Sequence, residues 1–341
     1  MSGVQGLDGA GRAGGAGRAR FRRRGRVAPD GDTVDHVGSD DGFKNLHLAG
    51  HSSPSGRENN MRIVLGVDGS KYSGWAAGWP AKMPFRTPPT VIAVHGLDLH
   101  ALRAPFMVQP TIVGNERFIE EEVRRLEKRA KTVVADTKQQ MADLALAGSV
   151  RIERGPIART LLKHARPGAL VVVGSRGLDA VDRFMLGSIS TYVTLHAPCS
   201  VLIVKEPAQT LRRILFATDG SSSSRKALGF LTKHFQVQPQ AEPIEILLVH
   251  VMPFLRYPEI KEAAQRLLEH EAIRLEKAGY RVREFPRLGR PADEIMKVAR
   301  REKPDLIVTG AKGLGAVARF LLGSISTKIV QQSACSVLVV R

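Results

Sequence analysis

From Met61 onward, short β-branched runs alternate with stretches whose apolar residues recur every three or four positions. The runs "RIVLGV" (62–67), "TVIAVHG" (90–96), "VRIERG" (150–155), "ALVVVG" (169–174) and "SVLIVK" (200–205) are six or seven residues long and read as strands. Between the second and third lies a charged helix over 115–148, with Phe118, Val123, Leu126, Val133 and Val134 near helical spacing and "EEEVRRLEKR" as a solvated face. Pro156 opens a helix to Ala165, and residues 188–196 form another. Apolar strands separated by helices predict an α/β fold, a parallel sheet covered on both faces.

Residues 212–341 repeat this order: "RILFATDG", "IEILLVHV", a helix in "EIKEAAQRLLEHEAIRLEKAG", then "YRVREFPRLGRP", "DLIVTG" and "CSVLVVR". Gly174 to Gly310, Gly187 to Gly323 and Cys199 to Cys335 are each separated by 136 residues, whereas Asp68 to Asp219 is 151. The first copy therefore carries an insert, which falls in "LDLHALRAPFMVQPTIVG" after its second strand. The pattern is a tandem duplication, with domains expected at 61–207 and 211–341.

Residues 1–60 show no periodicity. "GLDGAGRAGGAGRARFRRRGRV" is Gly/Ala/Arg-rich with almost no large apolar residue, so a disordered extension is expected. It reads as a basic arm, a targeting segment without the apolar core of a secretory signal, or, as we favour, translated sequence upstream of a natural start at Met61.

The formal charge of +18 brings nucleic acid into consideration. Nine Lys/Arg against seven Asp/Glu before Met61 leave +16 of it on the folded part. No helix there gathers basic residues on one face, and no RNP-like or helix-turn-helix signature is present, so nucleic acid is not an expected partner. No apolar stretch is long enough to span a membrane. Cys199 and Cys335 form no CxxC pair and precede strands, which reads as buried packing in a cytoplasmic protein. Trp75 and Trp79 read as core or interface, and His95 and His250 as hydrogen-bonded structural residues.

The chemistry lies where the strands end. Each copy carries G-x2-G-x9-G-S: Gly174, Gly177, Gly187 and Ser188, then Gly310, Gly313, Gly323 and Ser324. Strand-end glycines are expected to supply positive φ and close backbone approach to a ligand, and the last Gly-Ser to open a helix whose free N–H groups attract an anion. Asp68 and Asp219 follow the first strand of each copy, where open α/β sheets bind ligands; a carboxylate there suits a ribose hydroxyl. Neither a P-loop nor GxGxxG after a first strand is present. A nucleotide satisfies both signals; loops that merely cap helices are the alternative.

These residues resemble the universal stress protein family in its tandem two-domain form. The resemblance rests on "VDGS" and "TDGS", the His of "AVHG" and "LVHV", "GRP" and the doubled glycine signature. It implies two open five-stranded parallel sheets of order 3-2-1-4-5 flanked by helices, of the nucleotide-binding α-hydrolase type, and the ATP-binding branch of the family. Asp68 and Asp219 would then meet the ribose, and backbone at Gly96 and Val251 the adenine. The glycines would hold phosphates with Ser188 and Ser324, Ser190 and Ser326 would add hydroxyls, and Arg176 or Lys312 a charge. Mg2+ or Mn2+ would accompany ATP. The final strands would join the copies as an intramolecular pseudo-dimer, with a homodimer as a further option. The function implied is a stress-response protein sensing ATP with at most slow hydrolysis. The alternatives are an interaction module without nucleotide and, more weakly, a basic nucleic-acid-associated protein. Copy one has "RGP" (154–156) where copy two has "GRP" (289–291), which reads as a shifted glycine and favours the second site.

Overall fold

Residues 60–99, 116–177, 186–237, 243–252, 258–313 and 322–341 are described by the computed structural model. The expected N-terminal disorder and most of the insert after Gly96 lie outside them.

In β1 (Arg62–Gly66), Ile63 and Leu65 enter one hydrophobic cluster and Val64 enters another, all fully buried. Side chains of a strand alternate, so a strand apolar at every position is covered on both faces. The same holds for β2 (Thr90–Leu97), β4 (Leu170–Gly174), β5 (Ser200–Val204), β6 (Arg213–Thr218), β7 (Glu245–Met252), β9 (Leu306–Gly310) and β10 (Ser336–Val340). β3 (Gly148–Arg154) and β8 (Arg281–Leu288) are more polar and stand at the sheet edges.

Eight helices are seen among the described residues. One cluster receives α1 (Lys71–Lys82), α2 (Glu116–Asp143), α5 (Ser222–His234) and α6 (Pro258–Lys277). The other receives α3 (Ile157–His164), α4 (Ser188–His196), α7 (Pro291–Glu302) and α8 (Ser324–Gln332). On α2 the buried stripe is Ala130, Val133, Thr137 and Met141, while Glu120–Arg124 and Glu127–Arg154 pair at its solvated surface. The helix stops at Asp143, short of the expected 148, because Ala145 adopts a left-handed φ of 51° and Leu146 N–H bonds back to the Met141 carbonyl.

The strands form a single ten-stranded sheet of order β3-β2-β1-β4-β5-β10-β9-β6-β7-β8. Each half keeps the order 3-2-1-4-5, but the expectation of two separate sheets is corrected: β5 and β10 pair antiparallel, Leu202 opposite Leu338, and merge them. These strands are fully buried, so left apart each would expose both apolar surface and unpaired backbone.

The residues beyond the seam strands reinforce it reciprocally. Lys205 N–H donates to Ser336 Oγ (3.1 Å) and its ammonium to the Ser333 carbonyl ending α8 (2.6 Å). Arg341 N–H donates to Ser200 Oγ (3.4 Å) and its guanidinium to the Thr194 and Leu195 carbonyls near the end of α4 (2.5 and 3.3 Å). Each half thus supplies the cation that satisfies the other's helix terminus. Burial lowers Lys205 to a pKa of about 8 and raises Cys199 and Cys335 to about 11 and 12, so both thiols stay protonated packing groups. A second stitch is the bridge Phe85–Phe235, with Arg86 donating to the Lys233 and Phe235 carbonyls. Trp79 is core, 2% exposed, and its indole N–H holds the Glu206 carbonyl of the segment linking the halves (3.1 Å); Trp75 packs partly buried against the same cluster.

Candidate functional site

At the end of β1, Gly69 takes a φ of 78°, which turns the chain between strand and helix. Asp68 Oδ1 accepts from Ser70 N–H (2.9 Å), and Ser70 Oγ caps α1 by accepting from Ser73 N–H (3.1 Å). The second half repeats each contact. Gly220 has a φ of 71°, Asp219 Oδ1 accepts from Ser221 N–H (3.0 Å) and Ser221 Oγ from Ser224 N–H (3.2 Å). The free carboxylate oxygen of each aspartate faces the signature's second glycine, so closely that a β-carbon on Gly177 or Gly313 would lie 2.9 Å from Asp68 or Asp219 Oδ2.

The glycines of the signature have different duties from those expected. None of the six has a left-handed φ, which corrects the expectation of positive φ. Gly174 and Gly310 are small because helices cross them: a β-carbon would stand 2.8 Å from the Tyr72 carbonyl carbon and 2.6 Å from that of Ser223. Gly187 and Gly323 are the N-caps of α4 and α8, and their nearest neighbours would be 3.4 Å from a β-carbon, ordinary contact. Being glycines, they provide no side-chain cap, so among the described residues the first-turn N–H groups from Ser188 and Ser324 onward have no capping side chain. Ser188 and Ser324 are exposed at these helix starts. Ser190 and Ser326 are buried and donate to the Gly174 and Gly310 carbonyls (2.6 and 2.8 Å), tying helix to strand.

A cavity of about 310 Å³ brings Asp68, Gly174, Gly177, Gly187, Ser188, Ser190 and Arg176 together in the first half. Gly96 does not line it; a β-carbon there would meet Ile157 of α3 at 2.9 Å, so the glycine admits the helix. Its counterpart Val251 is buried in β7. A larger cavity of about 540 Å³ lies elsewhere, between Trp79, the 206–211 segment and α7. His95 and His250 bond through Nδ1 to the Val67 and Thr218 carbonyls (both 2.9 Å), in the structural role read from sequence. Gly155 is not shifted. It and Gly289 have φ of 123° and 143°, and their N–H groups reach the Leu97 and Met252 carbonyls alike (both 3.0 Å). After the glycine, Arg290 caps α7 where Pro156 caps α3, and the proline of the second copy moves into the first helical position.

A family model described as the universal stress protein family matches residues 59–205 and 210–341. The chain belongs to the universal stress protein family. A universal stress protein of Mycolicibacterium smegmatis is 27% identical over 295 residues, 82% of this chain and 96% of the relative. One from Thermus aquaticus is 40% identical over 139 residues, 38% of this chain and 98% of the relative. The crystal structure of a universal stress protein from Archaeoglobus fulgidus shares the fold at a TM-score of 0.59 and 19% identity, covering 84% of this chain and 99% of that one.

The two halves of this universal stress protein differ around their common frame. In the first, Arg176 Nη1 donates to Tyr72 Oη (3.0 Å) and lies over its ring. In the second, Ser223 replaces Tyr72 and Lys312 replaces Arg176. Sequence reading missed a further difference. Glu271 of α6 is 2% exposed; its Oε1 accepts from Thr218 Oγ1 (3.0 Å), which also accepts from Gly220 N–H (3.3 Å). The first half has Val67 and Thr137 at these places.

Desolvation raises the Glu271 carboxyl to a pKa of about 7, against the Thr218 hydrogen bond and Arg274, which favour its ionised form. A carboxyl raised in the folded state stabilises most below its unfolded value, and this is lost as pH rises through about 7. Glu271→Gln is therefore expected to melt several degrees above the native protein at pH 8, with the gap narrowing toward pH 5. Equal gaps at both pH values in differential scanning calorimetry would rule this out.

Proposed function

We propose that the chain is a stress-response protein that binds ATP at the C-terminal ends of its strands in both halves and acts as a nucleotide-dependent sensor or regulator. The observation that carries this reading is the convergence, twice, of an uncapped helix N-terminus, a narrow strand-end loop and an aspartate held in a turn. The free N–H groups of α4 and α8 suit phosphate, since they combine unpaired donors with the positive helix end.

In this reading Gly174, Gly177, Gly187 and Ser188, with Gly310, Gly313, Gly323 and Ser324, line the phosphate path. Asp68 and Asp219 accept from the ribose hydroxyls, and the backbone at Gly96 and Val251 meets adenine. Arg176 and Lys312 add positive charge. Residues 61–207 and 211–341 are the two nucleotide-binding domains. No group of three or more His, Cys, Asp or Glu fit to hold a metal occurs among the described residues, so Mg2+ or Mn2+ would be held chiefly by the phosphates. His95 and His250 hold the strand ends through Nδ1 bonds to backbone carbonyls, and in this reading hydrolysis is at most slow.

Isothermal titration of the full chain with ATP and Mg2+ is expected to show saturable binding at up to two sites. Asp219→Ala should weaken the second by about tenfold or more, the cost of one charge-assisted hydrogen bond. Absence of binding heat, or binding unaffected by Asp68→Ala and Asp219→Ala together, would overturn the proposal.

A further inference from the structure

Glu271 is a buried acid with an unanswered atom. Its Oε1 takes the Thr218 hydroxyl, but Oε2 is buried without a hydrogen-bond partner. Either protonation state leaves a mismatch: the carboxylate lacks a donor at Oε2, and the acid lacks an acceptor there. The group stands one residue beneath the aspartate of the second site. Gly220 N–H, Thr218 Oγ1 and Glu271 Oε1 form a continuous chain below the turn that carries Asp219.

The charges that act on it are Arg274 of its own helix, Asp219 of the β6–α5 turn and Arg225 of α5. Arg225 also donates to the Gly220 carbonyl at the same turn. From β7, His250 bonds to the Thr218 carbonyl behind it. Asp219 disfavours a second negative charge nearby, and the two arginines favour it. Poised near neutrality in this way, the carboxyl responds to any further charge brought to the turn.

We propose that Glu271 couples occupancy of the second site to proton uptake, so that this half, unlike the first, binds nucleotide more tightly as pH falls through neutrality. The inference rests on the nucleotide reading above. Phosphates arriving at α8 bring negative charge to the far side of Asp219, and burial leaves little water to screen it. The ionised carboxylate becomes costlier, and Glu271 takes a proton from solvent. By linkage, a ligand that promotes protonation binds better where protons are plentiful. The first half has no counterpart, because Thr137 is neutral and its hydroxyl donates to the Val133 carbonyl (2.7 Å).

The test is titration of the full chain with ATP and Mg2+ at pH 7 in two phosphate-free buffers of different ionisation enthalpy, PIPES and imidazole. The difference in apparent heat counts protons. ATP's own titration and the first site contribute equally to native protein and Glu271→Gln, so the comparison isolates Glu271. Native protein is expected to take up about 0.3 to 0.5 proton more per second-site nucleotide, since about half the carboxyls are ionised at the start. Its second-site affinity should also fall severalfold between pH 6 and pH 8 relative to the variant. Equal proton uptake by native and variant proteins, with binding intact, overturns the proposal. Failure of both proteins to bind ATP overturns the nucleotide reading, and this inference with it. Should Glu271→Gln fold poorly, the double variant Thr218→Val, Glu271→Thr installs the pair found in the first half and must abolish the excess uptake in the same way.

Discussion

Gly310→Ala is expected to destabilise the protein by about 3 kcal/mol, and Gly323→Ala by less than about 1, although both glycines belong to one recurring motif. At Gly310 the added carbon would lie 2.6 Å from the Ser223 carbonyl carbon and 2.8 Å from Ser224 N, backbone atoms that move only if α5 moves off β9. At Gly323 the nearest atoms are at 3.4 Å, and the N-cap φ of −65° is open to any residue. The methyl there faces the loop at 311–313, where the phosphates are proposed to run. Gly323→Ala should thus keep the native denaturation midpoint and lose ATP affinity, whereas Gly310→Ala should shift the midpoint first. Urea denaturation beside ATP titration separates them; a Gly310→Ala midpoint equal to the native one would refute the steric account.

Leu338→Lys is expected to cost about 4 kcal/mol or more, the scale of an uncompensated buried charge. Leu338 is fully buried and pairs with Leu202 across the seam, where both faces of the sheet are covered. The four carbons of lysine could not carry the ammonium to water without parting β5 from β10. Because the seam closes one continuous sheet, its loss should also expose the helix ends that Lys205 and Arg341 satisfy. The expected result is a large fall in melting temperature with increased binding of an apolar dye. A change below about 1 kcal/mol would mean the halves hold together elsewhere, at Phe85 and Phe235.

The fold was legible because its central strands are buried on both faces and mostly apolar. The seam was legible for a related reason: two final strands apolar after their first residue need a partner. The glycine positions were readable as constraints but not as causes, since a sequence shows that a β-carbon is excluded and not which atom excludes it. Gly174 is crowded by Tyr72, more than a hundred residues away. Lys205 and Arg341 could have been found, because they too are separated by the 136-residue offset of the repeat. Glu271 could not: it sits in "LLEHEAIRLEK" among ordinary surface charges, and its counterpart Thr137 breaks the repeat.

The antiparallel seam also sets a direction. Strands of the second half run opposite to those of the first, so the carboxyl ends of β1 and β4 lie on one rim of the sheet and those of β6 and β9 on the other. The two candidate sites open away from each other. A single rigid partner docked over one loop cluster leaves the other free, so the chain is built to present two separate faces, joined through the buried residues of β5 and β10 and the Phe85–Phe235 bridge.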